Sequence, residues 1–377
     1  MKCPVASTPY RSLQGSVILA ALLAAVRSTY FKLAVGCVLV YVAMAMPVFF
    51  DIRRFREVDL NTVHRRFFMF DKTTEAATER HNGTLTKNET HGITGVPKDV
   101  VSDSTRSNPS AQNLCPIIPP NLIGYIPTKM DVRSLDDVEG EFPDVMSGGH
   151  FRPKECTSRH RVAILIPYRN RTEHLKIFVY NIHRVLARQQ IDYGVFVIEQ
   201  GDNCNFNRAK LLNIGFLESS ALYDYQCFVF HDIDLVPVDD RNVYTCPQRP
   251  RHMSVTIDSQ SGVPYPLMFG GVSALSKELM LRVNGYSNVY WGWGGEDDDI
   301  SSRLKHINQT ILRRPGNIAR YKSLKHGKSK ANPARFDILR EWETRYKTDG
   351  LNSVKYKVMH MELKKLYTWI LADIREP

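Results

Sequence analysis

Apolar positions along this chain follow two rhythms. Val162–Pro167 (VAILIP) is a continuous apolar run of strand length, the pattern of a strand covered on both faces. Thr172 then stands as an N-cap, and Leu175, Phe178, Val179, Ile182 and Leu186 recur at helical spacing. Tyr193–Ile198 predicts a second strand, Asn207–Leu222 a second helix and Cys227–Ile233 a third strand. Strand, helix, strand, helix, strand is the order of a sheet built through crossover helices. Later come Met268–Leu275, a loop rich in glycine and tryptophan, and a helix from Asp297 to Lys305. Near the end Val354, Tyr356 and Val358 alternate with lysines, which predicts a hairpin strand paired with Tyr367–Ile374.

A different pattern precedes this domain. Leu33–Phe50 holds eighteen residues without a charge, bounded by Lys32 and by Asp51, Arg53 and Arg54, enough to span a bilayer as a retained signal anchor. The shorter run Gly15–Val26 reads as an interfacial segment within a cytoplasmic tail of residues 1–32. Residues 51–112 are polar and poor in aromatics, a composition that buries too little apolar area to offset ordering, so they read as a stalk. Residues 113–377 remain as the folded domain.

Composition adds limits. Of 377 residues, 43% are apolar, which supports a sizeable core. The net charge of +11 is dispersed and no zinc-finger, RRM or helix-turn-helix signature accompanies it, so no nucleic-acid partner is expected. Seven cysteines without zinc spacing, and sequons at Asn82, Asn88, Asn170 and Asn308, suit an oxidising lumen.

The chemistry concentrates in two acidic stretches. In Phe228–Pro237 (FVFHDIDLVP) an apolar strand ends in Asp232 and Asp234, and ligands of open α/β sheets bind at such strand ends. A carboxylate pair there suits a divalent cation held against a diphosphate, although turn formation and helix capping call for the same residues. Glu296–Asp299 forms the second stretch, at a loop-to-helix junction after WGWGG. An acidic first turn complements a helix dipole, but flexible glycines and tryptophan faces beside it also suit a sugar. With no GxGxxG or GxxxxGK[ST] loop, phosphate would be held by metal, arginines and aromatic stacking.

The runs IPYRNR (Ile166–Arg171), FNRAKLLN (Phe206–Asn213), FVFHDIDLVP, FGGVSALS (Phe269–Ser276), WGWGGEDDD (Trp291–Asp299) and DGLNS (Asp349–Ser353) together resemble the β1,4-galactosyltransferase family, from Cys115 to Ile374. That resemblance implies an inverting, metal-dependent Golgi enzyme with a GT-A, Rossmann-like α/β fold, a mixed sheet flanked by helices, anchored as a type II membrane protein. It implies a donor site from Pro167, Tyr168, Arg169, Arg171, Phe206, Arg208 and Asp232, with Trp293 on a small moving loop. Asp297 is implied as the base, Glu296 on the donor sugar, and Asp298 with Gly295 at an acceptor N-acetylglucosamine on a glycoprotein or glycolipid. Two disulfides are implied, Cys115 with Cys156 and Cys227 with Cys246, leaving Cys204 over. The loop Lys325–Asn332 resembles the family's lid.

Two positions depart from the family. Its metal ligands correspond to Asp234, His326 and a methionine, but Ser323 stands at the methionine position. Losing the thioether favours harder ions, so Mg²⁺ is expected to compete better with Mn²⁺. Met268 replaces the tyrosine that crowds the donor sugar in vertebrate members, and its flexibility leaves room for an N-acetyl group. On that basis UDP-N-acetylgalactosamine is the expected donor, with UDP-galactose as the alternative. A catalytically reduced glycan-binding member is a further reading, favoured by Ser323 and opposed by the intact acidic set. A metal-dependent phosphohydrolase is another.

Overall fold

The computed structural model describes residues 113–327 and 329–375; the expected tail, anchor and stalk lie outside the described residues. At its centre is β1 (Arg161–Tyr168), buried along nearly its whole length. Its side chains alternate between two cores. Val162, Ile164 and Ile166 pack with Leu175, Phe178, Val179 and Ile182 of α2 (Thr172–Leu186), after a short α1 (Leu135–Val138). Ala163 and Leu165 face the other way, onto Leu211, Leu212, Ile214 and Phe216 of α3 (Arg208–Leu222). A strand covered on both faces has no polar side to show, which is why it reads as an unbroken apolar run.

Strand β1 pairs in parallel with β2 (Asp192–Gln200) on one side and with β3 (Cys227–His231) on the other. The chain therefore leaves β1 in opposite directions and puts α2 and α3 on opposite faces. A crevice opens at the carboxyl ends of strands where the order reverses in this way, and the site lies there. After β4 (Leu235–Pro237), β5 (Arg251–His252) and β6 (Thr256–Ile257), β7 (Val272–Ser276) adds antiparallel to β3 and is followed by α4 (Lys277–Arg282). The helix α5 (Glu296–His306), β8 (Arg320–Ser323), α6 (Arg335–Arg340) and α7 (Trp342–Arg345) come next. The chain closes with β9 (Lys357–Leu363) and β10 (Thr368–Asp373). The seven-stranded sheet has the order β5-β7-β3-β1-β2-β10-β9, and β4-β8-β6 form a small second sheet. The mixed α/β architecture expected of a GT-A fold is present.

Some boundaries differ from expectation. Thr172 is the first residue of α2, not its cap; Arg171 holds the cap position without a side-chain bond. The terminal hairpin is real but lies later: Val354 is buried in the core and the Tyr356 hydroxyl donates to Glu218 Oε1 at 2.6 Å, so their alternation reflects packing under α3. Both expected disulfides, Cys115–Cys156 and Cys227–Cys246, are present. Cys204 is buried and disulfide-bonded as well, so it is no spare thiol.

The DGLNS run has a structural role. Asp349 accepts from the Asn288 amide at 2.8 Å and the Ser287 hydroxyl at 2.5 Å. Beside it Arg303, fully buried, donates from Nε to Asp299 at 2.6 Å and from Nη1 to the carbonyls of Asp349 (2.8 Å) and Gly285 (3.2 Å). Tyr290 donates to the same carboxylate at 3.0 Å. This cluster bolts α5 to the segments before and after it. Removing one partner of a buried pair strands the other charge, so Arg303→Ala should cost about 3–5 kcal/mol of stability. Urea unfolding measures this, and an unchanged midpoint would contradict the structural role.

Candidate active site

Burial brings the two acidic stretches together through one arginine. Arg208 opens α3, and its Nε donates to Asp232 Oδ1 at 2.6 Å while Nη1 lies 3.6 Å from Glu296 Oε1. Burial works against this guanidinium charge, but the two carboxylates outweigh it and raise its pKa. Its Nη1 and Nη2, and Glu296 Oε2, are buried without a hydrogen-bond partner among the described residues. Buried polar atoms are rarely left so, and a guanidinium fork with N–H groups to spare matches a phosphate.

The glycines ahead of α5 take backbone conformations that side chains resist. Gly292, Gly294 and Gly295 have φ of 89°, 102° and 98°, and a Cβ on Gly295 would stand 2.7 Å from the Tyr290 ring. Gly295 thus turns the chain into α5 and is itself buried, so its part is conformational. The four carboxylates that follow then diverge. Glu296 faces Arg208, Asp297 lies against the backbone of Gly270, Asp298 accepts from the Tyr265 hydroxyl at 2.7 Å, and Asp299 turns inward to Arg303. Burial and the Asp297 charge lift Glu296 from 4.5 to about 7 against the pull of Arg208. Asp297 is raised too, by burial and then by Asp298. Asp232 is raised by burial, with Arg208 opposing.

Asp234 begins the metal end. Leu324 donates to its carbonyl at 2.7 Å, and the β4–β8 ladder sets Ser323 opposite Leu235. His326 follows, with Nε2 2.5 Å from Asp234 Oδ2. Its Nδ1 lies 2.7 Å from the Gly327 carbonyl and 3.5 Å from Arg171 Nη2. An imidazole nitrogen and a carboxylate oxygen are both ligand types a divalent metal takes, so this pair fits one by its chemistry. No group of three His, Cys, Asp or Glu gathers among the described residues, which leaves further positions to oxygens such as Ser323 and the donor's phosphates. Arg171 lies with this pair, 3.5 Å from Asp234 Oδ2.

The remaining donor-side residues line the strand end and the loops around it. Pro167 and Tyr168 close β1, and Arg169 lies over the Phe206 ring at 5.3 Å. Gly292 donates to the Phe206 carbonyl at 2.8 Å, and Asn332 to that of Trp293 at 3.0 Å. The tryptophan loop therefore links the FNR turn to the lid, with the Trp293 ring 59% exposed beside them. Met268 is half-buried in the loop that ends at Gly270.

Two family profiles match this chain, "N-terminal region of glycosyl transferase group 7" over residues 115–247 and "N-terminal domain of galactosyltransferase" over residues 251–327. Mouse β-1,4-galactosyltransferase 1 is 48% identical over 270 residues, 70% of this chain and 67% of the relative. The chain belongs to the β1,4-galactosyltransferase family. Mouse β-1,4-galactosyltransferase 2 is 42% identical over 300 residues, covering 77% of this family member and 80% of the relative. Among solved structures, the catalytic domain of Drosophila β1,4-galactosyltransferase 7 complexed with xylobiose aligns with a TM-score of 0.51 and 29% identity, over 58% of this chain and 95% of that one. A variant of the fly enzyme, complexed with manganese, UDP-Gal and xylobiose, aligns with a TM-score of 0.50. This family member is a hexosyltransferase.

Three residues of the site escaped the motifs. Tyr265 stands in an irregular stretch, and only its bond to Asp298 reveals it. His174 reaches the Lys325 carbonyl at 3.2 Å, with its ring 6.2 Å from that of His326, and so holds the lid's base. Arg313 contacts the loop that carries Met268. A long-range bond to a backbone carbonyl leaves no mark in sequence.

The pKa directions bear on activity. The family resemblance implies Asp297 as the base; a base works ionised, and burial makes this carboxylate hold its proton more tightly, so on that reading activity should fall as pH drops through a raised value. The acid limb of kcat/KM should lie above the 3.8 of an ordinary aspartate. Asp297→Asn should reduce transfer by about 10²–10⁴-fold. A pH–rate series on both proteins tests this; a limb at the ordinary value, or an active variant, would assign the base elsewhere.

Proposed function

We propose that this enzyme transfers galactose from UDP-galactose to O4 of a terminal β-linked N-acetylglucosamine on a glycoprotein or glycolipid, with inversion. The observation that carries the reading is the division of labour at the head of α5, where Glu296 meets the donor-side arginine while Asp297 lies against Gly270 and Asp298 bonds Tyr265. The relatives' galactosyltransferase names, at 48% and 42% identity, favour galactose over the N-acetylated donor expected from Met268. The UDP-Gal in the fly enzyme's complex supports the same donor. Xylobiose is that relative's ligand, and the acceptor here is our own reading from the resemblance of the WGWGGEDDD run.

In this mechanism the unpartnered Arg208 fork receives the diphosphate, and Phe206 with Arg169 frames the nucleotide. Asp234, His326 and Ser323 would hold Mn²⁺, which when bound supplies positive charge to the leaving diphosphate. Asp297 takes the proton of the acceptor hydroxyl as that oxygen attacks the anomeric carbon from the face opposite the nucleotide. Asp298, steadied by Tyr265, grips the acceptor, and the Trp293 loop with the lid excludes water. The apolar run 33–50, the sequons at Asn82 and Asn88 and the disulfides support a type II Golgi membrane enzyme with residues 113–377 in the lumen.

UDP-N-acetylgalactosamine is the second reading, because Met268 lacks a rigid ring at the position that crowds the sugar. Initial rates to an N-acetylglucosamine acceptor with the two donors side by side in Mn²⁺ decide between them. A clear excess with galactose is expected, an excess with the N-acetylated sugar establishes the second reading, and no transfer with either sinks both. Met268→Tyr should lower the N-acetylated rate relative to galactose by about tenfold or more. For the metal, Ser323→Met should raise the Mn²⁺ over Mg²⁺ activity ratio; an unchanged ratio would show that residue 323 does not touch the ion.

A further inference from the structure

Arg313 has no part in the roles above, yet it holds the wall on which the acceptor and donor sugar would meet. Its Nη2 donates to the carbonyls of Tyr265 (3.1 Å), Pro266 (3.1 Å) and Met268 (2.7 Å). Its Nε donates to Nδ1 of His252 at 3.2 Å, and an arginine has nothing but donors, so Nδ1 accepts and the imidazole proton is on Nε2. That Nε2 lies 3.1 Å from the Gly270 carbonyl and 3.2 Å from Ser254 Oγ, which in turn accepts from the Val272 amide at 2.9 Å. His252 is fully buried and its pKa is lowered to about 4, chiefly by burial, so it stays neutral and keeps this tautomer. The Leu267 carbonyl, which Arg313 does not reach, accepts from Ser301 of α5 at 2.6 Å. Every carbonyl from Tyr265 to Met268, and that of Gly270, is therefore held.

The two ends of this braced loop touch two carboxylates at the head of α5. Tyr265 bonds Asp298, and Gly270 lies against Asp297 with no room for a side chain. We infer that Arg313, acting with His252, is a positioning residue that sets acceptor affinity and donor-sugar choice by fixing the Tyr265–Gly270 loop against Asp297 and Asp298. The inference rests on the reading that these carboxylates face the acceptor. Arg313 acts on the sugars only through the loop. The Arg208 fork and the Asp234–His326 pair are formed by other elements, so nucleotide and metal binding are not its concern.

The test is Arg313→Ala in the purified protein, with Arg313→Lys as the variant least disturbing to folding. Arg313→Ala should lower kcat/KM for the acceptor by about 10–100-fold, since a misplacement near 1 Å costs up to that much. It should shift the galactose to N-acetylgalactosamine rate ratio and leave the calorimetric Kd for UDP with Mn²⁺ within about twofold, because the site for UDP and metal is built elsewhere. Lysine has a single nitrogen and cannot hold both the carbonyls and His252, so Arg313→Lys should fall between. His252→Gln, whose amide can accept from Arg313 and donate to Gly270, should retain more activity than His252→Ala. Hydrogen exchange of amides 265–271 should quicken in Arg313→Ala while those of α3 do not. That readout needs no turnover, so it decides on the brace even where the proposed transfer fails. Unchanged exchange and an unchanged acceptor KM overturn the inference, as does an equal loss of UDP affinity and acceptor affinity.

Discussion

Arg208 is the charge on which the cleft depends. It joins three elements: its own helix α3, the end of β3 through Asp232, and the start of α5 through Glu296. Burying carboxylates is costly unless a cation stands near, and Arg208 opposes the upward shift of Asp232, Glu296 and Asp297 alike. One guanidinium thus steadies Asp232, Glu296 and Asp297 together. It also explains why the strand-end pair and the GEDDD run, distant in sequence, act as one site. Without it each acidic stretch would be only an acidic stretch.

Much of this was legible because it follows from local rules. VAILIP and the β3 run read as strands since both their faces are covered, and α2 since one of its faces is. Asp232 and Asp234 stand out because charge interrupts an apolar run at a strand end. The individual carboxylates of Glu296–Asp299 were harder to separate. Adjacent residues of a helix point about 100° apart, so four carboxylates in a row reach four surroundings. Asp299 could have been assigned inward from Arg303 four residues later, a spacing that meets on one helix face. Tyr265, His252 and Arg313 could not, because their partners are backbone carbonyls, a carboxylate and one another's side chains far along the chain. The misplaced β9 has a related cause: Val354 and Tyr356 alternate as a strand would but are drawn into the core beneath α3.

The glycines and the lid show how conformational freedom is confined. Gly292, Gly294 and Gly295 give the tryptophan loop its turns, yet that loop is tied at one side to Phe206 and at the other to Ala331 and Asn332. The lid that holds His326 and the loop that holds Trp293 share a backbone bridge.

Donor choice is constrained by the same kind of tether. A wider side-chain pocket helps a bulkier sugar only if the surrounding backbone does not relax to refill it. Here the backbone of the Met268 loop is gripped at Tyr265, Pro266, Leu267, Met268 and Gly270, so a change at residue 268 acts as a change of local volume and not as a shift of the loop. Methionine, unbranched with three rotatable bonds, then yields volume that a tyrosine ring could not. Its effect on specificity stays within the ordinary scale of a hydrophobic pocket contact, about 1–3 kcal/mol, because no buried polar partner is created or orphaned by the exchange. If Met268 lines the donor pocket as proposed, a preference of that size would bias the enzyme between two UDP sugars without closing the pocket to either.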